Sequence, residues 1–374
     1  MEWALEWNLP EPLKIMNPKE GPKTVLFQSN RIGFSCVIDQ TTAQRVQVNR
    51  FTYHFANRDF LYERIPDKVS GYRLSTRGGS PPFKFKRSQG RAWSLPQPVK
   101  CYGYPEQVYN YYQNTGFLPD FQLRFEQLFT HVFYLGPLRE YPSREYSWSG
   151  AQPSDMGRRG EKVVQALLAS RGRGEKISRG RRKPKYTLEE YVAHWLKELN
   201  LIETFVVKPL AESSKNYQVL VKRGPGSPPV LITDVGFGIS QILPVIVLCY
   251  YVPEGSTIIL EQPEIHLHPS VQAGLADVFI DAIKVRKIQI ILESHSEHLL
   301  RRLQRRIAEA ESLTNDDVAL YFCEDLGGES HMTPLEVDMF GTIRNWPRDF
   351  FGSEFEEMAE TTSAAMRRRM EMTG

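Results

Sequence analysis

Thr257-Ile258-Ile259-Leu260-Glu261-Gln262-Pro263-Glu264 and Ile290-Ile291-Leu292-Glu293-Ser294-His295-Ser296 are the two stretches that decide the fold. Each opens as an apolar run too short for a helix and stops at an acid, as a fully buried strand does. Between them, residues 269–284 place Val271, Leu275, Val278, Phe279 and Ala282 along one helical face, and Pro269 suits the first turn of that helix. A further helix is predicted over 297–311 and a third buried strand over 318–323. Strands alternating with helices imply a mainly parallel sheet and an α/β class.

In such a sheet, ligands bind beyond the carboxyl ends of the strands. Glu261 stands at one such end, where a carboxylate can hold Mg²⁺ through water. Gln262 follows it; an amide orients a water but cannot take its proton. Glu264 is the nearest group able to act as a base. Acids that simply face solvent at a strand end would give the same string. His295 ends the neighbouring strand, 34 residues after Glu261, within reach of a phosphate bound there. A hydrogen-bonded core histidine is the competing reading.

Upstream, Gly236-Phe237-Gly238 opens a helix that continues through Ser240 and Gln241. Backbone amides at a helix N-terminus hold anions, although a GxG before a helix is a weak signal alone. The three signals in this order point to a nucleotide phosphate. His266, His268, His295 and His298 admit a second reading as a metal cluster, since their HxH and HxxH spacings permit ligation. The nucleotide reading also accounts for the flanking strands.

The 374 residues suffice for one large domain or two, and 41% hydrophobic with 24% charged residues is ordinary for a globular chain. No stretch approaches the roughly 20 apolar residues that span a bilayer, and the N-terminus has no signal-peptide pattern. Cys36, Cys101, Cys249 and Cys323 form no CxxC pair, which fits a reducing cytoplasm. The net charge of +3 conceals two basic segments: residues 64–100 with nine basic side chains and one acid, and residues 171–185 with eight and one. The second holds Arg171, Arg173, Lys176, Arg179, Arg181, Arg182, Lys183 and Lys185, enough to contact a nucleic-acid backbone, although a solvated loop would look alike.

Toward the N-terminus, residues 31–38 and 45–55 read as antiparallel strands, with a bulge or turn where the alternation changes phase between Val48 and Phe51. Residues 64–120 read as an irregular insertion, 121–129 as a helix and 131–135 as a strand ended by Gly136-Pro137. A short helix is predicted over 161–169. A better one covers 188–199, where Thr187 and Glu190 form a capping box. Phe205-Val207 and Tyr217-Val219-Val221 alternate as a hairpin.

The order of glycine turn, acid strand with proline, Leu267-His268-Pro269 and Ser-His strand resembles an ABC-type ATPase head, most closely the SMC/RecF/OLD branch. More narrowly it resembles bacterial AAA/ABC-like ATPases that end in a small domain of unknown function. Tyr134-Leu135-Gly136-Pro137-Leu138-Arg139, Glu293-Ser294-His295-Ser296-Glu297-His298 and Asn345-Trp346-Pro347-Arg348-Asp349-Phe350-Phe351 carry that likeness. The resemblance implies a P-loop NTPase-like, mainly parallel sheet with an antiparallel β subdomain and a helical insertion. The divisions implied are 1–135 (partial first lobe), 136–229 (helical lobe and hairpin), 230–325 (ATPase core) and 326–374 (family-specific tail). It further implies ATP and Mg²⁺ as cofactors, with Glu261, Gln262, Glu264 and His295 catalytic. Gly236, Phe237, Gly238, Ser240, Gln241 and His268 would contact nucleotide across a head-to-tail dimer.

The family opens with a GxxxxGK[ST] phosphate loop, and this sequence has no such string. The expectation is therefore a truncated first lobe and weak ATP binding by the chain alone. A partner carrying the loop would complete the site, and the Glu-Gln pair predicts slow turnover. Roles in DNA maintenance or anti-phage defence, with a nucleic acid or effector protein as partner, follow from the resemblance. A non-catalytic scaffold is the alternative. An OLD-like nuclease would need an acidic domain for which the residues after 325 leave no room.

Overall fold

The computed structural model describes all residues except 17–23, 41–44, 67–70, 91–93, 179–183, 348–359, 367 and 370–374. The chain divides into two compact units, Met1–Thr130 and His131–Gly374.

The first unit is a five-stranded antiparallel meander: β1 (Glu2–Met16), β2 (Val25–Gln40), β3 (Val46–Phe55), β4 (Arg58–Arg64) and β5 (Tyr72–Gly78), paired in chain order. Alternation sends Phe34, Phe51, Tyr53, Phe60 and Tyr62 to one face, all fully buried. There they meet Phe121 and Phe125 of α2 (Leu118–Phe129), which follows the short α1 (Glu106–Tyr111). The phase change is a bulge: Val37 pairs with Arg50 and Ile38 with Val48, leaving Asn49 extra. Residues 64–120 are not wholly irregular, since β5 and α1 lie within them. The polar face carries ion pairs, among them Arg31–Glu6 at 2.5 Å and Arg73–Glu63 at 2.9 Å. On it Ser35 Oγ lies 3.0 Å from His54 Nε2, and His54 Nδ1 lies 2.7 Å from Asp59 Oδ1. This chain resembles a hydrolase relay, but the three residues sit within the β2–β3–β4 ladder, whose amides are committed to strand pairing. It is cross-strand polar pairing.

The second unit begins with β6 (Val132–Leu135), β7 (Tyr146–Ser147) and α3 (Val163–Arg173). Next come β8 (Ile177–Ser178), β9 (Lys185–Tyr186), α4 (Leu188–Glu198), β10 (Thr204–Pro209), β11 (Asn216–Lys222) and β12 (Val230–Leu231). The unit ends with α5 (Phe237–Tyr251), β13 (Thr257–Glu261), α6 (Pro269–Arg286), β14 (Gln289–Glu293), α7 (Glu297–Glu309), β15 (Leu320–Leu326) and β16 (Glu329–Leu335). The central sheet is parallel, in the order β14-β13-β6. β6, which the sequence placed at the end of the first lobe, thus pairs with β13 and belongs here. The Thr187–Glu190 capping box is present on α4, and β10 and β11 form the expected hairpin.

Residues 239–250 of α5 are all buried, as in a helix that is apolar all round. Ile258, Leu260, Phe133 and Leu135 are buried in the same core as that helix. The opposite face of the sheet is more open: Tyr134 is 38% and Ile291 51% exposed. The run at 318–323 is corrected. It forms the start of β15, which pairs with β16 in a separate antiparallel hairpin and leaves Tyr321 54% exposed. A six-residue apolar run looks the same in either setting. Among the described residues no helix is long and apolar enough to cross a membrane.

Candidate functional site

The parallel register brings Glu261 and Glu293 side by side, each the last residue of its strand. One more ladder bond follows, from Gln262 N to Glu293 O at 2.9 Å. The chain then reverses. Gln262 takes φ +44° and His266 φ +61°, left-handed conformations that side chains other than glycine seldom adopt. Between them Pro263 and Glu264 turn inward, and Glu264 is 7% exposed. Its Oε1 accepts from His295 N at 2.7 Å, and its Oε2 is buried with no partner. Glu264 therefore ties the loop after β13 to the end of β14, a position enclosed from solvent water.

The His295 ring is 76% exposed, with Nε2 3.9 Å from Glu293 Oε1. It is available to a ligand rather than consumed by the core. His268 is the N-cap of α6: its Nδ1 accepts from Ser270 N at 3.3 Å. Ser296 caps α7, its Oγ accepting from Leu299 N at 3.1 Å and donating to Gln272 Oε1 at 2.6 Å. His266 meets Phe237 edge-on at 5.1 Å. Among the described residues no three His, Cys, Asp or Glu side chains converge as metal ligands. Two of the histidines are committed elsewhere, to a helix cap and to an aromatic contact.

Gly236 caps α5 with no side-chain bond to its first amides. A Cβ on Gly238 would lie 3.5 Å from the His266 carbonyl oxygen, so this turn rests against the loop that follows β13. Phe237 is 39% exposed, Ser240 Oγ donates back to the Phe237 carbonyl, and the buried Gln241 Nε2 has no acceptor. The glycine turn and the acid loop are thus neighbours, while Ser240 and Gln241 point inward.

Two contributors escaped the sequence reading. Desolvation, and then the nearby Glu261 carboxylate, raise the pKa of Tyr134. Arg139, just past β6, is 3% exposed and donates from Nη2 to the Glu261 carbonyl at 3.2 Å. Desolvation pushes its pKa down to about 10, against the opposing pull of Tyr134, Glu261 and Glu264. The available signal was the string Tyr134–Arg139 itself, which ends a strand beside the acid strand.

In the basic segment, Arg171 pairs with Glu189 and donates to the Val207 carbonyl, and Arg173 pairs with Glu175 at 2.7 Å. Lys176 and Lys185 are exposed, while Arg179, Arg181, Arg182 and Lys183 lie outside the described residues.

Strands ending in paired carboxylates, an exposed histidine beside them and a glycine-opened helix thus lie together between Gly236 and His295. Residues 174–300 match a family described as AAA ATPase domain, and residues 313–360 match a protein family of unknown function, DUF3696. Residues 174–300 are thus similar to an AAA-type ATPase domain, and this second segment follows them. No curated protein matches it. Among solved structures, the SMC head domain from Thermotoga maritima is similar at 9% identity and TM-score 0.34, over 82% of this chain and 75% of that one. An SMC head bound to the C-terminal winged-helix domain of ScpA gives 7% and 0.37 over the same shares. The Pyrococcus furiosus Smc head bound to the C-terminal domain of ScpA gives 10% and 0.30, over 40% of this chain and 34% of that one. Likeness at these scores carries no functional weight.

Proposed function

We propose that this chain is an ATPase head that supplies the acid and switch half of an ATP site. The observation that carries the reading is the in-register pair Glu261 and Glu293 at the carboxyl ends of β13 and β14, with His295 exposed beside them. Two adjacent hard-oxygen donors suit Mg²⁺, which takes one or two carboxylates and fills its remaining positions with water and phosphate oxygens. When bound, the ion would neutralise charge on the transferring phosphoryl group.

Glu261 would hold the ion through water, with Glu293 beside it. Gln262, fixed by its ladder bond, orients a water without accepting its proton, so turnover is slow. The exposed His295 ring would be free to meet a terminal phosphate. Burial of Glu264 and its bond to His295 N fit a positioning role better than proton acceptance. The Gly236–Gly238 turn, the open N-terminus of α5, caps the nucleotide of a second head, so that ATP binding closes a head-to-tail dimer and hydrolysis reopens it. The phosphate loop comes from another segment or chain. The four free cysteines support a reducing compartment, the cytoplasm. Lys176, Lys185 and the neighbouring basic residues support a nucleic-acid partner in DNA maintenance or defence.

The test is calorimetric titration of the chain with Mg²⁺-ATP, alone and with a partner bearing GxxxxGK[ST]. Binding in either arm that is lost in E261Q supports the ATPase head. No binding in both arms leaves the second reading, a non-catalytic scaffold, which the missing loop string favours.

A further inference from the structure

The second unit buries a cation without enough acceptors. Arg139 is 3% exposed, and only Nη2 has a partner, the Glu261 carbonyl at 3.2 Å. Its Nε and Nη1 are buried and donate to nothing, while Glu264 Oε2 is buried and accepts from nothing. Folded proteins rarely leave such groups unmatched, because each has given up water without replacement. A guanidinium stays charged at neutral pH, and its fixed fork is shaped for a carboxylate. The leftover donors and the leftover acceptor have opposite charge and share one neighbourhood, since Glu264 and Glu261 both act electrostatically on Arg139. The other Glu264 oxygen already holds His295 N at 2.7 Å. One carboxylate thus stands between Arg139, fastened to the end of β13, and His295, at the end of β14.

We propose that Arg139 is a positioning residue that pairs with Glu264 Oε2 and, through Glu264, sets where His295 stands relative to Glu261. The ligand served by this geometry rests on the ATPase reading above; the pairing itself needs no ligand. The bond at the Glu261 carbonyl anchors the guanidinium, and movement of the Glu264 carboxylate or of the guanidinium fork brings the two together. That movement shifts the oxygen that holds His295 N. The ends of β13 and β14, where an ion and a terminal phosphate would be met, then shift as one body. Arg139 itself stays beneath the loop and touches no ligand.

The test is a double-mutant cycle on the full chain without nucleotide, using R139M, E264Q and the double variant. Removing one member of a buried pair strands the other charge, so each single variant is expected to melt lower by roughly 6 °C or more. The double variant is expected to melt above the less stable single. Additive losses would overturn the pairing. Should R139M fail to fold, R139Q enters the cycle in its place. R139K, which keeps the charge, is expected to restore at least part of the loss.

Hydrogen exchange at the His295 amide separates positioning from general stability. Exchange about tenfold faster in R139Q under native conditions supports the link, and an unchanged rate refutes it. In the complete ATPase assembly, R139K is expected to lower kcat while KM stays within about twofold; an unchanged kcat refutes positioning. Absence of Mg²⁺-ATP binding both by the chain alone and with a partner bearing GxxxxGK[ST] sinks the ATPase reading, yet the nucleotide-free cycle still decides the pairing. Normal ATP binding with an additive cycle sinks the pairing alone.

Discussion

Replacing Glu261 with Gln separates two consequences of one carboxylate. Glu261 and Glu293 are register partners at the last positions of β13 and β14. Like charges directly opposite in a sheet cost on the order of 0.2–1 kcal/mol. E261Q is therefore expected to raise the melting temperature of the ligand-free chain by up to about 4 °C, taking 2–4 °C per kcal/mol for a unit of this size. Magnesium should reverse the order. An ion present at a hundred times its Kd stabilises the native state by about 2.7 kcal/mol, or roughly 5–11 °C here. The wild type should gain that increment and E261Q should not. The assay is scanning calorimetry at constant ionic strength, in EDTA and in excess MgCl₂, with and without ATP. Two results would refute the reasoning: E261Q melting below wild type in EDTA, or E261Q responding to Mg²⁺ as wild type does.

Two further outcomes are expected. Gly160 has φ +78°, and a Cβ there would lie 2.6 Å from Pro244 Cβ inside α5. G160A should therefore destabilise by about 2–5 kcal/mol through backbone strain and overpacking; an unchanged urea midpoint would contradict this. At alkaline pH, burial pushes the Cys249 thiol from 9.0 to about 12 and the Tyr109 phenol from 10.0 to about 12. Burial also holds Tyr104 and Tyr250 well above their ordinary range. These acids ionise more readily in the unfolded chain, so their stabilisation is complete below pH 9 and drains away as pH rises toward 12. A late rise in tyrosinate absorbance should accompany loss of near-ultraviolet circular dichroism; Tyr104, Tyr109 and Tyr250 titrating near their ordinary pKa in an intact fold would disprove it.

The sequence shows β13, α6 and β14 plainly as apolar runs around an amphipathic helix, but the expectation that both strands are fully buried holds only for one face of the sheet: Ile258 and Leu260 are buried, while Ile291 is 51% exposed. The α4 cap and the bulge at Asn49 are local chemistry, which a linear reading detects. β1 is hidden although Trp3, Leu5, Trp7 and Leu9 alternate: Pro10 and Pro12 argue against a strand, and the register breaks between Asn8 and Leu13. Glu261 and His295 stand out at strand ends. Glu264 looks like a free acid because its inward turn depends on two left-handed residues, Gln262 and His266, that nothing in their identity announces. Arg139 is missed for a related reason, since an arginine in a string reads as surface charge and its burial is a property of the assembled sheet.

The two sheets also differ in when they can close. In the first unit every strand pairs with its neighbour in the chain, so each new strand has its partner already made. β6 pairs with β13, and Val132 must find Thr257. At the usual pace of synthesis, about 5–20 residues per second, β6 waits on the order of 6–25 s for that partner. During that interval its apolar side chains have no sheet to join. A ribosome stalled between the two strands would hold a finished first unit followed by an orphan strand, which makes this interval the natural point for a chaperone, or an assembling partner, to engage the nascent chain.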